Sequence, residues 1–209
     1  AACYLAMRNA AFPTPRRLEN SFNGGGSPSA LALVKAGAGV LVLGNGGNTY
    51  NGNTFINEGV IKLTAAGAIP DRSAVTIANK LGATLDLNGN NETIGTLSGG
   101  GYLGGGTPAT GSGFAVANSG AATVGGTVAI GGGILTINQA ANSTYAGEIT
   151  GSGGLVVQGV LPLANGNTLT LATATNPFTG TLTINSAQVS VGDGTGLATG
   201  NAVGNLTGV

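Results

Sequence analysis

The 209-residue chain contains no histidine and no tryptophan, one cysteine, one methionine, and only 7% charged side chains. Without histidine there is no Ser/His/Asp triad, no Cys/His pair and no imidazole metal ligand. Cys3 alone supports neither an intrachain disulfide nor a zinc site. Its place near the start leaves three readings open: an unpaired thiol, the tail of a lipoprotein cleavage box, or a link between two chains. The seven basic residues balance the seven acidic ones. The longest basic run is Arg16-Arg17, so a phosphate-tracking groove is excluded and no nucleic-acid partner is expected. Aromatics make up 4%, too few for a stacking platform. No apolar run approaches the roughly 18 residues of a membrane-spanning helix.

Glycine and short apolar alternation are abundant instead. Glycine numbers 41, nearly three times the usual share of about 7%. It has no three-residue period, which excludes collagen. Disorder is excluded by the 42% hydrophobic content and the Val, Ile, Leu and Thr spread throughout. From residue 31 onward short alternating runs recur: VLVL (40–43), TFIN (54–57), VIKL (60–63), AVTI (74–77), TLDL (84–87), TIGTL (93–97), TVAI (127–130), ILTI (134–137), LVV (155–157), TLTL (168–171), TLTI (181–184) and QVSV (188–191). Each places apolar side chains on one face and polar ones on the other. Gly and Asn bound the runs, and Asn-Gly pairs at 45–46, 51–52, 88–89 and 165–166 read as corners.

One phrase repeats. Aligning the chain on Tyr50, Tyr145 and Phe178 brings Gly52, Gly147 and Gly180 together two residues later. Tyr145 and Phe178 lie 33 residues apart, and Tyr50 and Tyr145 lie 95 apart, close to three such periods. Stacked repeats need such recurrence and sandwiches do not. The expected fold is all-β: a parallel β-helix over residues 31–209. At roughly 20 to 25 residues per coil that gives about eight coils. Residues 1–30 form a separate extended arm or linker, with Pro13 and Pro15 holding it open. The three aromatics are read as corner or core packing, in preference to a sugar-stacking column.

The stretch 33–63 resembles the passenger-associated repeat of bacterial autotransporters. Lys35, Gly37, Gly39, Asn48, Thr49, Tyr50, Gly52 and Thr54 match its pattern position by position, and 81–101 is similar to the stretch that commonly follows it. Around Tyr145 and Phe178 the match is looser. The resemblance implies a right-handed parallel β-helix displayed outside a bacterial cell. No membrane barrel follows in this chain, and its last residues read as the middle of a repeat. It is therefore expected to be part of a longer passenger, or a subunit completed end to end by another copy.

Chemistry is sparse. Asp86 and Glu92 are a conceivable facing pair for glycoside hydrolysis, but Asp86 reads more simply as an outward strand residue. GDGTG (192–196) offers the single Asp193, where a calcium repeat needs tandem ligands. No Gly-rich stretch opens a helix. No catalytic residue, cofactor or metal is assigned. The expected role is that of a non-enzymatic extracellular stalk or self-assembling filament subunit. The alternatives are an adhesin that binds a glycan or host protein, or, less favoured, a polysaccharide-cleaving β-helix. In the filament version Cys3, Phe12, Pro13, Pro15, Arg16 and Arg17 belong to an arm that locks onto a neighbouring subunit.

Overall fold

The computed structural model describes residues 3–7, 31–100, 125–160, 167–172 and 177–191. For residues 3–7 it describes the backbone alone. All named elements are strands, and every pairing between them is parallel. In chain order these are β1 (Cys3–Met7), β2 (Leu31–Lys35), β3 (Val40–Leu43), β4 (Thr54–Ile56), β5 (Val60–Leu63) and β6 (Val75–Ile77). Then come β7 (Thr84–Asp86), β8 (Glu92–Ile94), β9 (Leu97–Gly99), β10 (Thr127–Gly131), β11 (Ile134–Gln139) and β12 (Ser143–Tyr145). The last five are β13 (Glu148–Gly151), β14 (Gly154–Gly159), β15 (Thr168–Leu171), β16 (Thr181–Asn185) and β17 (Gln188–Val191).

The strands sort into three sheets that the chain visits in rotation. The first has eight strands in the order β1-β2-β4-β6-β9-β12-β15-β17. The second is β3-β5-β7-β10-β13, and the third is β8-β11-β14-β16. Each strand therefore pairs with its counterpart one coil away. Strands of three to six residues suffice because each side of the coil is short. The sequence-derived right-handed β-helix class is thus met in its all-β, parallel, three-sided form, with no closed barrel.

The coil length follows from the register. Leu33 faces Thr54, Thr54 faces Val75 and Val75 faces Leu97, which are steps of 21, 21 and 22 residues. Ser143 faces Leu169 and Thr168 faces Gln188, steps of 26 and 20. Gly99 faces Tyr145, a step of 46 that takes in residues 101–124. The 33-residue spacing from Tyr145 to Phe178 is therefore no coil period: it is one coil plus one side. TIGTL, read as one strand, is two. Thr93 and Ile94 belong to the third sheet and Leu97 to the first, with the corner at Gly95-Thr96.

The core is a set of columns running through the coils. Leu41, Ile61, Leu85, Val128 and Ile149 stack in register along the second sheet, all at most 2% exposed. Leu135, Leu155 and Leu182 do the same along the third. No single coil could bury these side chains alone, so each contributes stability only through its neighbours. In the N-terminal part, residues 31–35 form a parallel strand that the alternation did not single out, and Cys3–Met7 pairs with it, Cys3 opposite Leu31. Phe12, Pro13, Pro15, Arg16 and Arg17 lie outside the described residues, as does Asp193.

Candidate functional sites: corners and buried charges

Each aromatic-x-glycine phrase forms a corner where the chain turns into a new strand. Tyr50, Tyr145 and Phe178 are at most 1% exposed. A ring buried at the corner fills the wedge between two sides. The glycine two residues on is where the turning backbone crosses a carbonyl of the preceding coil. A methyl group on Gly52 would meet the Leu31 oxygen at 2.5 Å, and on Gly147 and Gly180 it would overlap the oxygens of Gly126 and Gly153. Those same oxygens accept the coil-to-coil hydrogen bonds, from Gly52 N–H (3.0 Å), Glu148 N–H (3.1 Å) and Thr181 N–H (3.1 Å). Glycine is thus required by approach distance.

The three corners sit on different sides. Gly52 leads into β4 of the first sheet, Gly147 into β13 of the second and Gly180 into β16 of the third. Phe178 itself forms a single parallel bridge to Gly151. The phrase therefore marks a way of turning, and any side of the coil can use it.

Inside the coil Tyr50 ends a chain of hydroxyls. Its oxygen lies 2.7 Å from Thr54 Oγ1, which is 2.9 Å from Ser73 Oγ, which donates to the Gly52 carbonyl at 3.0 Å. Since Ser73 commits its proton to Gly52, Thr54 donates to Ser73 and Tyr50 to Thr54. Burial pushes the Tyr50 hydroxyl pKa up to about 12, against the effect of these bonds. Tyr145 is raised as well, by burial first and by Glu148 second. Its ring has room because a side chain at Gly100 would run into it.

Among the described residues two charged side chains are buried, Lys35 and Glu92, and sequence reading did not foresee the burial of either. Lys35 is 0% exposed and stands in register with Ile56, Ile77, Gly99, Tyr145 and Leu171. Its ammonium donates to the carbonyls of Ala36 (3.3 Å), Gly37, and Glu58 (3.0 Å) one coil on. Three donors meet three corner carbonyls. Burial lowers its pKa, and Glu58 opposes that.

Glu92 is 2% exposed and faces Leu135 at the head of the leucine column in the third sheet. Its carboxylate accepts from the N–H groups of Ala68 (2.8 Å) and Ile69 (3.2 Å) one coil earlier, and of Thr93 (3.3 Å). Residues 64–74 form no strand on that side. The carboxylate stands in for the missing one. Asn48 continues the substitution, donating from Nδ2 to the Ala68 carbonyl at 2.7 Å. Burial is the main cause that pushes the Glu92 pKa up to about 7. The signal for Lys35 and Glu92 is visible only once the register is known: a charge where the paired positions of other coils carry uncharged residues, mostly Ile and Leu.

The remaining carboxylates are spread apart. Asp86 lies opposite Lys62 (3.7 Å) and accepts from Asn88 N–H (2.8 Å), while Glu58 contacts Lys80 (2.9 Å). Asp86 and Glu92 belong to different sheets and are committed to different partners, so the structure does not set them up as a facing acid pair. Among the described residues no group of three or more Cys, Asp or Glu is arranged to hold a metal. No helix among them is long and apolar enough to cross a membrane.

A parallel coil with aromatic-glycine corners defines a class, and the comparisons agree with it. Residues 33–63 and 164–191 match the family described as passenger-associated-transport-repeat; the chain carries autotransporter passenger repeats. Over 154 residues, 74% of its length, it is 35% identical to a protein named "Adhesin BmaC autotransporter" from Brucella suis biovar 1 (strain 1330). The chain spans 4% of that relative's length. No solved structure matches. The two matched repeats do not sit alike. In the first, VLVL, TFIN and VIKL fall on the second, first and second sheets; in the other, TLTL, TLTI and QVSV fall on the first, third and first. The repeat is a unit of strand and corner, independent of which side it builds.

Proposed function

We propose that this chain is a section of stiff stalk within a larger passenger at a bacterial surface, and that it acts by rigidity, without enzymatic turnover. The observation that carries the reading is the unbroken first sheet of eight parallel strands. At about 4.8 Å per strand it spans roughly 35 Å along the axis. Where strands are missing, side chains such as Glu92 and Asn48 supply the bonds. That is what a member resisting extension needs, since each coil is tied to the next by several main-chain bonds. The surface location rests on the passenger repeats and on the autotransporter relative.

Negative-stain imaging with small-angle scattering on the purified chain tests this. Monodisperse short rods over a hundredfold range of concentration are expected. Rods that lengthen with concentration would shift the reading to an end-to-end filament subunit. A compact or flexible particle, or release of soluble sugar from a pectin-like polymer, would overturn it. The relative's name, adhesin, favours a second reading in which the flank of the rod also makes contacts.

A further inference from the structure

Two strands of the first sheet are buried on both faces. Leu33 and Lys35 of β2 and Thr54 and Ile56 of β4 fill inward positions, so alternation points Ala32, Val34 and Phe55 outward. Yet these three are only 6%, 4% and 6% exposed. In β3, and in every strand from β5 to β17, no two consecutive residues are buried. Ala32, Val34 and Phe55 form an apolar cluster of their own, separate from the core. In register, Phe55 lies between Val34 and Thr76. A phenylalanine ring reaches further from the sheet than the valine and threonine beside it, so they cannot close over it. All described strands belong to the three sheets of the coil, and none crosses this face. The burial is that of one chain alone, so the cover is part of the same chain.

Position selects the segment. Along the outward column, burial is greatest beside β1 and falls away, with Thr76 and Ser98 half-buried. Residues 101–124 leave the first sheet after β9. To reach Phe55 from there, they would first have to cover Ser98 and Thr76, which bond to each other at 3.0 Å. Residues 8–30 join β1 to β2 directly, beside the patch. Cys3 faces Leu31, a step of 28 residues, seven more than the 21 of each of the next two steps. Seven extended residues reach roughly 23 Å, whereas adjacent strands lie about 4.8 Å apart. The segment contains Phe12, Leu18 and Phe22. Pro13 and Pro15 offer no N–H, which unfits that stretch for a strand ladder and suits it to lie against side chains.

We infer that the outward face of Ala32, Val34 and Phe55 is a docking site for residues 8–30 of the same chain. Sequence reading gave Phe12, Pro13, Pro15, Arg16 and Arg17 to a neighbouring subunit. Docked on their own coil, they are committed there and do not lock a second copy. The apolar side chains of the segment then keep water from a patch that the alternating strands alone would expose.

Photo-crosslinking in the full chain tests this. Phe55→p-benzoylphenylalanine, irradiated and mapped by mass spectrometry, should give crosslinks to residues 8–30 within one chain, in the same proportion over a hundredfold range of concentration. Thr170→p-benzoylphenylalanine, further along the same sheet, should give none to that segment. Thiol labelling in a Cys3→Ser background is the second measurement, with thermal melting to check that each variant folds. Val34→Cys should react at least tenfold faster when combined with F12S/L18S/F22S, whereas Thr76→Cys should change less than twofold. Crosslinks from position 55 to residues 101–124 or to a second copy, no crosslink to residues 8–30, or a Val34→Cys rate indifferent to F12S/L18S/F22S would each overturn the inference.

Discussion

At the scale of single residues, the corner glycines should be the least replaceable positions. Gly147→Ala pushes a methyl group into the Gly126 carbonyl that the next amide needs. Overpacking of this kind costs about 3 kcal/mol. Gly132→Ala, where a methyl group meets nothing within 4 Å, should stay within about 0.5 kcal/mol of wild type. Urea unfolding of the pair measures the contrast. The tyrosines give a second test. Tyr50→Phe strips the donor from a buried hydroxyl chain and should cost about 1–2 kcal/mol. Tyr145→Phe forfeits a single 3.3 Å bond to the Glu148 carbonyl and should cost less than Tyr50→Phe. The sequence showed that Tyr50, Tyr145 and Phe178 share a phrase, since identity and spacing are printed in it. It did not show that they turn different corners, because that depends on how many residues each intervening side consumes. Lys35 was legible as the head of a Lys-x-Gly-x-Gly pattern. Its burial was not, because a lysine in an alternating strand looks the same whether its partner across the coil is water or three carbonyls.

At the scale of elements, the strandless side at residues 64–74 is the most distinctive, and Glu92 governs it. Its folded pKa of about 7 lies above the ordinary 4.5, so the folded chain binds a proton that the unfolded chain releases between those values. Stability is therefore fully present below about pH 4.5 and declines as pH rises through about 7, by up to about 3 kcal/mol. Asp71 adds to the rise as a smaller cause. Melting temperature followed from pH 4.5 to 8 should fall in wild type, and the slope should flatten in Glu92→Gln. A wild-type protein more stable at pH 8 than at pH 5 would refute this account. The strands themselves were largely legible, because two-residue alternation survives in runs as short as VLVL. The 92–99 region was misjudged for a physical reason. Gly95 turns the chain so tightly that two strands on different sheets abut with only Gly95 and Thr96 between them, and the alternation does not register the bend.

At the scale of the whole molecule, the fold is a line of near-identical contacts, each coil touching its neighbours. Protection against hydrogen exchange should then depend on position along the axis. Amides of β6, β7, β10 and β11, flanked by coils on both sides, should exchange most slowly, and those of β17 and β1 faster. Uniform protection along the rod would argue for a single indivisible core. The coiled architecture was legible because repetition and corner chemistry appear together. The 33-residue recurrence did not itself give the coil length, because the recurring phrase and the coil are out of phase; the steps of 20 to 26 residues lie close to the roughly 20 to 25 expected of stacked coils in general.

The long step between Gly99 and Tyr145 has a practical meaning. The step is about two dozen residues longer than the 21 or 22 of the steps before it, yet β7 and β10, β8 and β11, and, at the single pair Gly99 and Tyr145, β9 and β12 stay in parallel register across it. Replacing residues 101–124 with an unrelated peptide tag should leave the melting temperature nearly unchanged, because the strands on either side of the step bond to one another directly; a marked fall would show that the replaced residues belong to the frame.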